Sequence, residues 1–152
     1  MLTPPRRITP LLITFVSLAF AQQSPTSAPR ELFLALNHER EANSLPALKW
    51  NDALAEAALH HAKVMAEHDA ISHQLPGEPN LIARAKAGGV HFVWLSENVD
   101  AGENAAAIHE GFMKSAQHRA NILDVDMDSV GIGVAEKKGQ LYVTEDFAKI
   151  TK

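Results

Sequence analysis

Residues 130–147 read VGIGVAEKKGQLYVTEDF and contain the pattern that decides the fold class. Every second residue of 130–134 is apolar, and the residues between them are glycines. A second run has apolar residues at positions 141, 143 and 147, and EKKG at 136–139 separates the two runs. A period of two is typical of strands, and a short glycine-containing loop between two such runs favours a hairpin. The end of the chain therefore predicts two antiparallel strands.

The chain before this hairpin shows helical spacing instead. A first helix is predicted near residues 30–43, and Pro46 ends that region. Asn51 is a suitable N-cap for a second helix, whose apolar stripe includes His61. A shorter helix is predicted from Asn80 to Ala87, before a pair of glycines. These segments predict that helices precede the sheet.

The middle of the chain completes the predicted architecture. Val90–Leu95 is a candidate for a third strand. Asp100 with Glu103 resembles the capping box that begins a helix, so a fourth helix is predicted after it. No internal repeat or linker interrupts residues 30–152, and helices beside an antiparallel sheet indicate a single α+β domain.

Residues 1–21 have the features of a secretory signal peptide. They contain no acidic residue, two arginines precede an apolar run at residues 11–20, and Ala-Phe-Ala at 19–21 gives a small-x-small cleavage pattern. A membrane span needs roughly 20 apolar residues, about twice the length of this run. We therefore expect cleavage near Ala21, a secreted or periplasmic protein without a membrane span in the mature chain, and a flexible leader at 22–29.

Composition narrows the classes of function. The 152 residues include 14 Lys+Arg and 18 Asp+Glu, a formal net charge of -4, which argues against a nucleic-acid partner. With no cysteine, disulfides, thiolate-bound metals and thiol nucleophiles are excluded. No HExxH, P-loop or GxSxG motif is present, so no catalytic residue is assigned.

Polar residues at the edges of core elements are the remaining candidates for chemistry. ISHQ at 71–74, SENV at 96–99 and HRANIL at 118–123 each put a histidine or a glutamate where burial is expected. Buried charged or imidazole groups need partners, and the partners are one another or a metal ion. His61 lies on an apolar helix stripe, where a hydrogen-bonded core histidine is favoured over a metal ligand.

Taken together, these segments resemble the CAP superfamily, which includes cysteine-rich secretory proteins, venom antigens and pathogenesis-related proteins. The resemblance covers nearly all of residues 31–148 in order, and it is to a small cysteine-free member of the bacterial type. The matching segments are LNHER at 36–40, LKWN at 48–51, SH at 72–73, SENV at 96–99, HRANIL at 118–123, VGIGV at 130–134 and YVTEDFA at 142–148.

The resemblance implies a fold and a site. The fold is a three-layer α-β-α sandwich with a small antiparallel sheet. The site is a cleft lined by two histidines and two acids, for which His73, His118, Glu97 and Glu78 are the matching residues, with Glu78 as the best candidate for the second acid. His73, His118 and Glu97 are then the candidate ligands of a divalent metal such as Zn²⁺, which accepts imidazole nitrogen and carboxylate oxygen.

Three functions remain open at this point. The first is a monomeric, non-enzymatic binding module outside the cytoplasm, taking a divalent metal and an apolar ligand (a lipid or sterol) or a protein partner. The second is a metal-dependent hydrolase of the peptidase type, in which the cleft activates a metal-bound water. The third is a structural role, in which the four polar residues form only a packing network.

Overall fold

The computed structural model describes residues 27–151 as five helices and four strands. The predicted signal peptide and residues 22–26 of the predicted leader lie outside the described residues. The elements are α1 Ala28–Ala42, β1 Lys49–Trp50, α2 Asp52–His68, α3 Leu81–Ala87, β2 Phe92–Gly102, α4 Ala105–Lys114, α5 Ala116–Ile122, β3 Ser129–Lys137 and β4 Gln140–Ile150. The first helix begins two residues before the predicted domain boundary, because Pro29 in its first turn has a φ suited to a helix start.

The strands form one mixed sheet in the order β1-β3-β4-β2. The predicted hairpin is present: β3 and β4 are antiparallel and joined at Lys138 and Gly139, which have φ of 53° and 79°. Positive φ at both central residues is the geometry of a tight hairpin turn. The two-residue β1 pairs in parallel with β3, so the sheet is not wholly antiparallel as expected.

Helices cover both faces of the sheet and make the α-β-α sandwich predicted from the resemblance. On one face, α1, α4 and α5 pack on β3 and β4 through the largest apolar cluster. On the other face, α2 and α3 pack through two smaller clusters. The largest cluster consists of Leu32, Leu36, Leu48, Ala105, Ile108, Phe112, Ile122, Met127, Val130, Ile132, Val143 and Phe147.

The glycines of β3 let α2 lie directly on the sheet. A Cβ atom at Gly131 would stand 2.1 Å from the backbone nitrogen of Ala55, and one at Gly133 would stand 2.0 Å from that of Leu59. No side chain fits at such distances, so the backbones of strand and helix are in contact. The alternation of glycine and apolar residues in β3 thus separates the face toward α2 from the face toward the large cluster.

Two predicted boundaries in the middle of the chain are wrong. The strand expected at 90–95 runs from Phe92 to Gly102, so Asp100 lies inside β2 and does not cap a helix. The cap of α4 is Asn104, whose side-chain oxygen accepts the N–H of Ala107 at 2.9 Å. Asn and Asp are equally strong N-caps, and Asn104 is the one that immediately precedes α4. The longer strand places residues 96–99 within the sheet.

A buried arginine fixes the end of the short helix α5. The side chain of Arg40 is 1% exposed and donates to the carbonyl oxygens of Ile122 and Asp124, at 2.9 and 2.8 Å. It also donates to the carbonyl of Pro46 at 2.9 Å. Burial of a charged group needs this degree of hydrogen bonding. Arg40 therefore ties α1 to the segment that follows α5.

Candidate functional site

Glu97 is the centre of a polar cluster at the sheet face that α2 and α3 cover. Its side chain is 2% exposed, and Oε1 lies 2.8 Å from Nδ1 of His73. Its other oxygen, Oε2, accepts a hydrogen bond from Nη2 of Arg84. Both carboxylate oxygens therefore have partners within the protein. The predicted pair of His73 and Glu97 is in direct contact.

The contact with Glu97 orients the imidazole of His73. A carboxylate accepts hydrogen bonds, so Nδ1 of His73 carries the hydrogen and Nε2 has the free lone pair when the ring is neutral. The His73 side chain is 60% exposed. A carboxylate that fixes the tautomer in this way is typical of histidines that bind metals through the other nitrogen.

His118 lies near His73 and is held in place by packing. It is on α5, half-buried, with its ring edge-on to that of Phe112 at a centroid distance of 5.1 Å. Burial lowers the pKa of His118, the charge of His73 lowers it further, and Asp100 opposes the shift. His118 is therefore an uncharged imidazole at neutral pH, the form that coordinates metals.

Two asparagines join α5 to β2. Asn98 donates from Nδ2 to the carbonyl oxygen of His118 at 3.2 Å. Asn121 donates to the carbonyl of Glu97 at 3.2 Å and to Oδ1 of Asn98 at 2.9 Å. Neutral amides that link two elements fix their separation. The backbone of His118 is thereby held at a set position relative to Glu97.

Glu78, the predicted second acid of the cleft, lies instead beside His61. Oε1 of Glu78 is 2.7 Å from Nδ1 of His61, and Oε2 accepts the N–H of Leu75 at 3.2 Å. No contact joins Glu78 to His73 or His118 among the bonds formed within residues 27–151. Glu78 is thus a neighbour of the cluster on its buried side, with 4% of its side chain exposed.

His61 is a core histidine, as its place on the apolar stripe predicted. It is 0% exposed, and Nε2 lies 2.8 Å from the carbonyl oxygen of Ser72. A carbonyl oxygen only accepts hydrogen bonds, so Nε2 of His61 carries a hydrogen. A second hydrogen lies between Nδ1 of His61 and Oε1 of Glu78. His61 and Glu78 together hold the loop that carries His73.

Two members of the cluster were not predicted from the sequence. Arg84 is 4% exposed and donates through Nη1 to the carbonyls of His73 and Pro79, at 3.2 and 3.1 Å. Asp146 is the cross-strand neighbour of Glu97 and is fully buried, with no partner for either oxygen within residues 27–151. Burial raises the pKa of Asp146 well above its ordinary range; Glu97 adds to this and Arg84 opposes it. Asp146 therefore keeps its proton to a higher pH than an exposed aspartate does.

The donors that this geometry offers to a metal are the two imidazoles. Within residues 27–151, no group of three or more His, Cys, Asp or Glu side chains is arranged to hold a metal ion. Each oxygen of Glu97 already has a partner within the protein. Glu97 is therefore better placed to orient His73 than to bind a metal itself. A metal bound here would therefore have His73 and His118 as its protein ligands and would need others, such as water, to complete its coordination.

Comparison with known proteins agrees with the fold and the motifs. The profile of the cysteine-rich secretory protein (CAP) family matches residues 33–147. A curated relative, the uncharacterized membrane protein YlbC of Bacillus subtilis (strain 168), is 30% identical over 126 residues, covering 82% of this chain and 35% of YlbC. The protein therefore belongs to the CAP family. The match covers only 35% and 50% of the lengths of two curated relatives, so the chain corresponds to part of each of them.

Solved structures show the same fold. An extracellular SCP-domain protein from Bacillus anthracis str. Ames has a TM-score of 0.75 and 29% identity, with 80% of this chain and 40% of that chain covered. An outer surface protein of Borrelia burgdorferi has a TM-score of 0.75 and 19% identity, with 82% and 93% covered. None of the helices described in residues 27–151 is both long and apolar enough to cross a bilayer.

A second buried carboxyl, Glu145, gives the fold a pH dependence. It lies on the opposite sheet face from Glu97, and its Oε2 accepts a hydrogen bond from Asn98 at 3.2 Å. Burial raises the pKa of Glu145 to about 8, against the weaker opposing effect of Asn98. The folded protein therefore holds a proton that the unfolded chain releases from about pH 4.5 upward.

The change Glu145→Gln is expected to remove this part of the pH dependence. A raised folded-state pKa means that stability is full below the unfolded pKa and is lost as pH rises through the folded one. Relative to the variant, the wild type should lose about 1.4 kcal/mol of unfolding free energy per pH unit up to about pH 8. Urea unfolding at several pH values between about 6 and 8 measures the two slopes. Parallel slopes would mean that Glu145 is already ionised in the folded protein.

Proposed function

We propose that this CAP domain is an exported, non-enzymatic binding module whose cleft holds a divalent metal, with Zn²⁺ as the metal to test first. His73 and His118 are the ligands, and Glu97 orients His73. The observation that carries the proposal is the hydrogen bond of 2.8 Å between Nδ1 of His73 and Oε1 of Glu97. It leaves the other nitrogen of an exposed imidazole free to coordinate, and burial keeps the second imidazole, that of His118, uncharged.

The chemistry of the donors supports a borderline cation over Ca²⁺ or Mg²⁺. Imidazole nitrogen suits Zn²⁺ and similar transition metals, while Ca²⁺ and Mg²⁺ require oxygen ligands. Arg84 donates to Oε2 of Glu97 and so leaves Oε1 directed at His73, while the buried Asp146 is the cross-strand neighbour of Glu97. When bound, the metal would supply a Lewis-acidic point at the cleft to which a ligand group can attach.

Binding is favoured over hydrolysis because Glu97 and Glu78, the two acids predicted to line the cleft, already have partners within the protein. A metal hydrolase needs a carboxylate positioned as a base beside the metal-bound water. Glu97 is bonded to His73 and Arg84, and Glu78 is bonded to His61 and to the N–H of Leu75. These contacts support a role for both acids in shaping the cleft.

Export and an organic or protein ligand complete the proposal. The pattern at residues 1–21, together with the extracellular and outer-surface relatives, supports export. For an apolar ligand (a lipid or sterol) or a protein partner, the supporting feature is a groove of about 550 Å³ lined by residues of α3 and β2. Ile82, Val93 and Trp94 of this groove are more than half exposed.

Calorimetric titration of Zn²⁺ into the metal-free protein tests the proposal. We expect one site of micromolar affinity or tighter. His73→Ala or His118→Ala should abolish it, since each removes half of the protein ligands. Glu97→Gln should weaken it about tenfold or more, because loss of a group that orients a ligand has that effect.

The matched control is His38→Ala, which removes an exposed histidine on α1. It should leave the zinc affinity unchanged. Circular dichroism confirms that each variant is folded. Absence of zinc binding by the folded wild type would reject the metal site, and the cluster would then be a packing network only.

A further inference from the structure

A groove between α2 and α3 is lined in part by a residue that has one buried donor without a partner. Its volume is about 390 Å³, and Arg84 forms part of its wall. The Arg84 side chain is 2% exposed; its Nη1 and Nη2 donate to protein oxygens, but its Nε–H has no hydrogen-bond partner within residues 27–151. An unpaired buried donor is unfavourable unless a ligand or water satisfies it.

The rest of the groove has a positively charged side chain, Lys63, beside an apolar surface. His60 and Lys63 are exposed on the α2 side, and Lys63 has no ion pair with any described residue. The apolar part of the wall includes Leu59 and Pro79. The groove also has one acidic residue, Glu56, which lies two turns of α2 before Lys63. This combination suits an anion attached to a short apolar group.

We propose that this groove binds a small organic carboxylate. The carboxylate accepts from Nε–H of Arg84 and pairs with Lys63, and the apolar part of the ligand lies against Leu59 and Pro79. A guanidinium nitrogen is a strong donor to a carboxylate, and the ammonium adds attraction at the entrance. A free short-chain acid and the C-terminus of a peptide share this chemistry. The inference does not depend on metal binding by His73 and His118.

NMR titration of the ¹⁵N-labelled protein with isovalerate and with the tripeptide Ala-Ala-Leu tests the proposal. The resonance of Arg84 Nε–H should move downfield with either or both ligands, in the millimolar range. The same tripeptide with an amidated C-terminus should bind at least about tenfold more weakly. Response to isovalerate alone indicates a free acid as the ligand, and response to the tripeptide alone indicates a peptide C-terminus.

Charge variants at the entrance provide a test that leaves the core intact. Lys63→Gln should weaken binding about threefold, and Glu56→Gln should strengthen it by a similar factor, as expected for exposed charges. Lys49→Gln, an exposed lysine on β1, is the matched control and should change nothing. The proposal is overturned if neither carboxylate moves the Arg84 resonance, if the amide binds equally well, or if Lys63→Gln has no effect.

Discussion

The change Gly133→Ala is expected to destabilise the protein by about 3 kcal/mol or more. The new methyl group would lie 2.0 Å from the backbone nitrogen of Leu59 and 2.2 Å from the carbonyl carbon of Ala58. Backbone atoms of a helix cannot rotate away as a side chain can, so α2 must move off β3 as a whole. That movement would also shift His61, which holds the loop carrying His73. Urea unfolding, compared with the wild type, measures the loss.

The control for this substitution is Gly111→Ala in α4. A Cβ atom there would meet only Oδ2 of Asp100, at 3.4 Å, and alanine is favoured over glycine within a helix by about 1 kcal/mol. We expect the stability of this variant to be equal to that of the wild type or slightly higher. If Gly133→Ala lost less than about 1 kcal/mol, α2 would not pack on β3 as closely as described.

Replacement of Arg84 by methionine is expected to have the other large effect, about 3–5 kcal/mol of unfolding free energy. The substitution leaves Glu97 buried with a charge that Arg84 no longer balances, and it frees the carbonyls of His73 and Pro79. Chemical denaturation at pH 7 measures the cost.

A double variant separates the charge effect from lost packing. Adding Glu97→Gln to Arg84→Met removes the unbalanced charge, so the double variant should recover part of the lost stability. Arg30→Met, at an exposed arginine of α1, should stay within about 0.5 kcal/mol of the wild type. If the two losses of Arg84→Met and Glu97→Gln simply added, the two side chains would not interact as an ion pair.

The fold could be predicted from the sequence because two kinds of information agreed. Period-two alternation in residues 130–147 indicated the hairpin, and the ordered segments resembling the CAP family indicated both helix layers. The extent of β2 could not be predicted. SENV at 96–99 is polar, and polar residues usually end a strand, but here the buried cluster supplies partners for Glu97 and Asn98.

The candidate site was predicted in part, and the omissions have a physical reason. His73, Glu97 and His118 lie in recognisable motifs, and the structure brings the first two into contact and the third nearby. Arg84 sits on a seven-residue helix with no motif around it, and only the tertiary fold buries it against Glu97. Asp146 occupies the face of β4 that alternation assigns to solvent, but α2 and α3 cover that face.

The assignment of Glu78 illustrates a different limit. A glutamate between His73 and Glu97 in the chain was a reasonable second acid, and it does lie close to the cluster. Its partner is His61, on another element, and sequence separation alone does not reveal which imidazole a carboxylate will reach. The sequence likewise does not show the direction of the Glu97 side chain, which decides whether Glu97 binds a metal or orients His73.

The central claim is that His73 and His118 together bind a divalent metal, and a crystal grown with Zn²⁺ tests it most directly. Diffraction data collected on both sides of the zinc absorption edge locate the metal without ambiguity. The account predicts one anomalous peak about 2.0–2.1 Å from a ring nitrogen of each histidine, with Nδ1 of His73 still bonded to Glu97. A peak bound to Glu97 itself, or no peak between the two imidazoles, would contradict it.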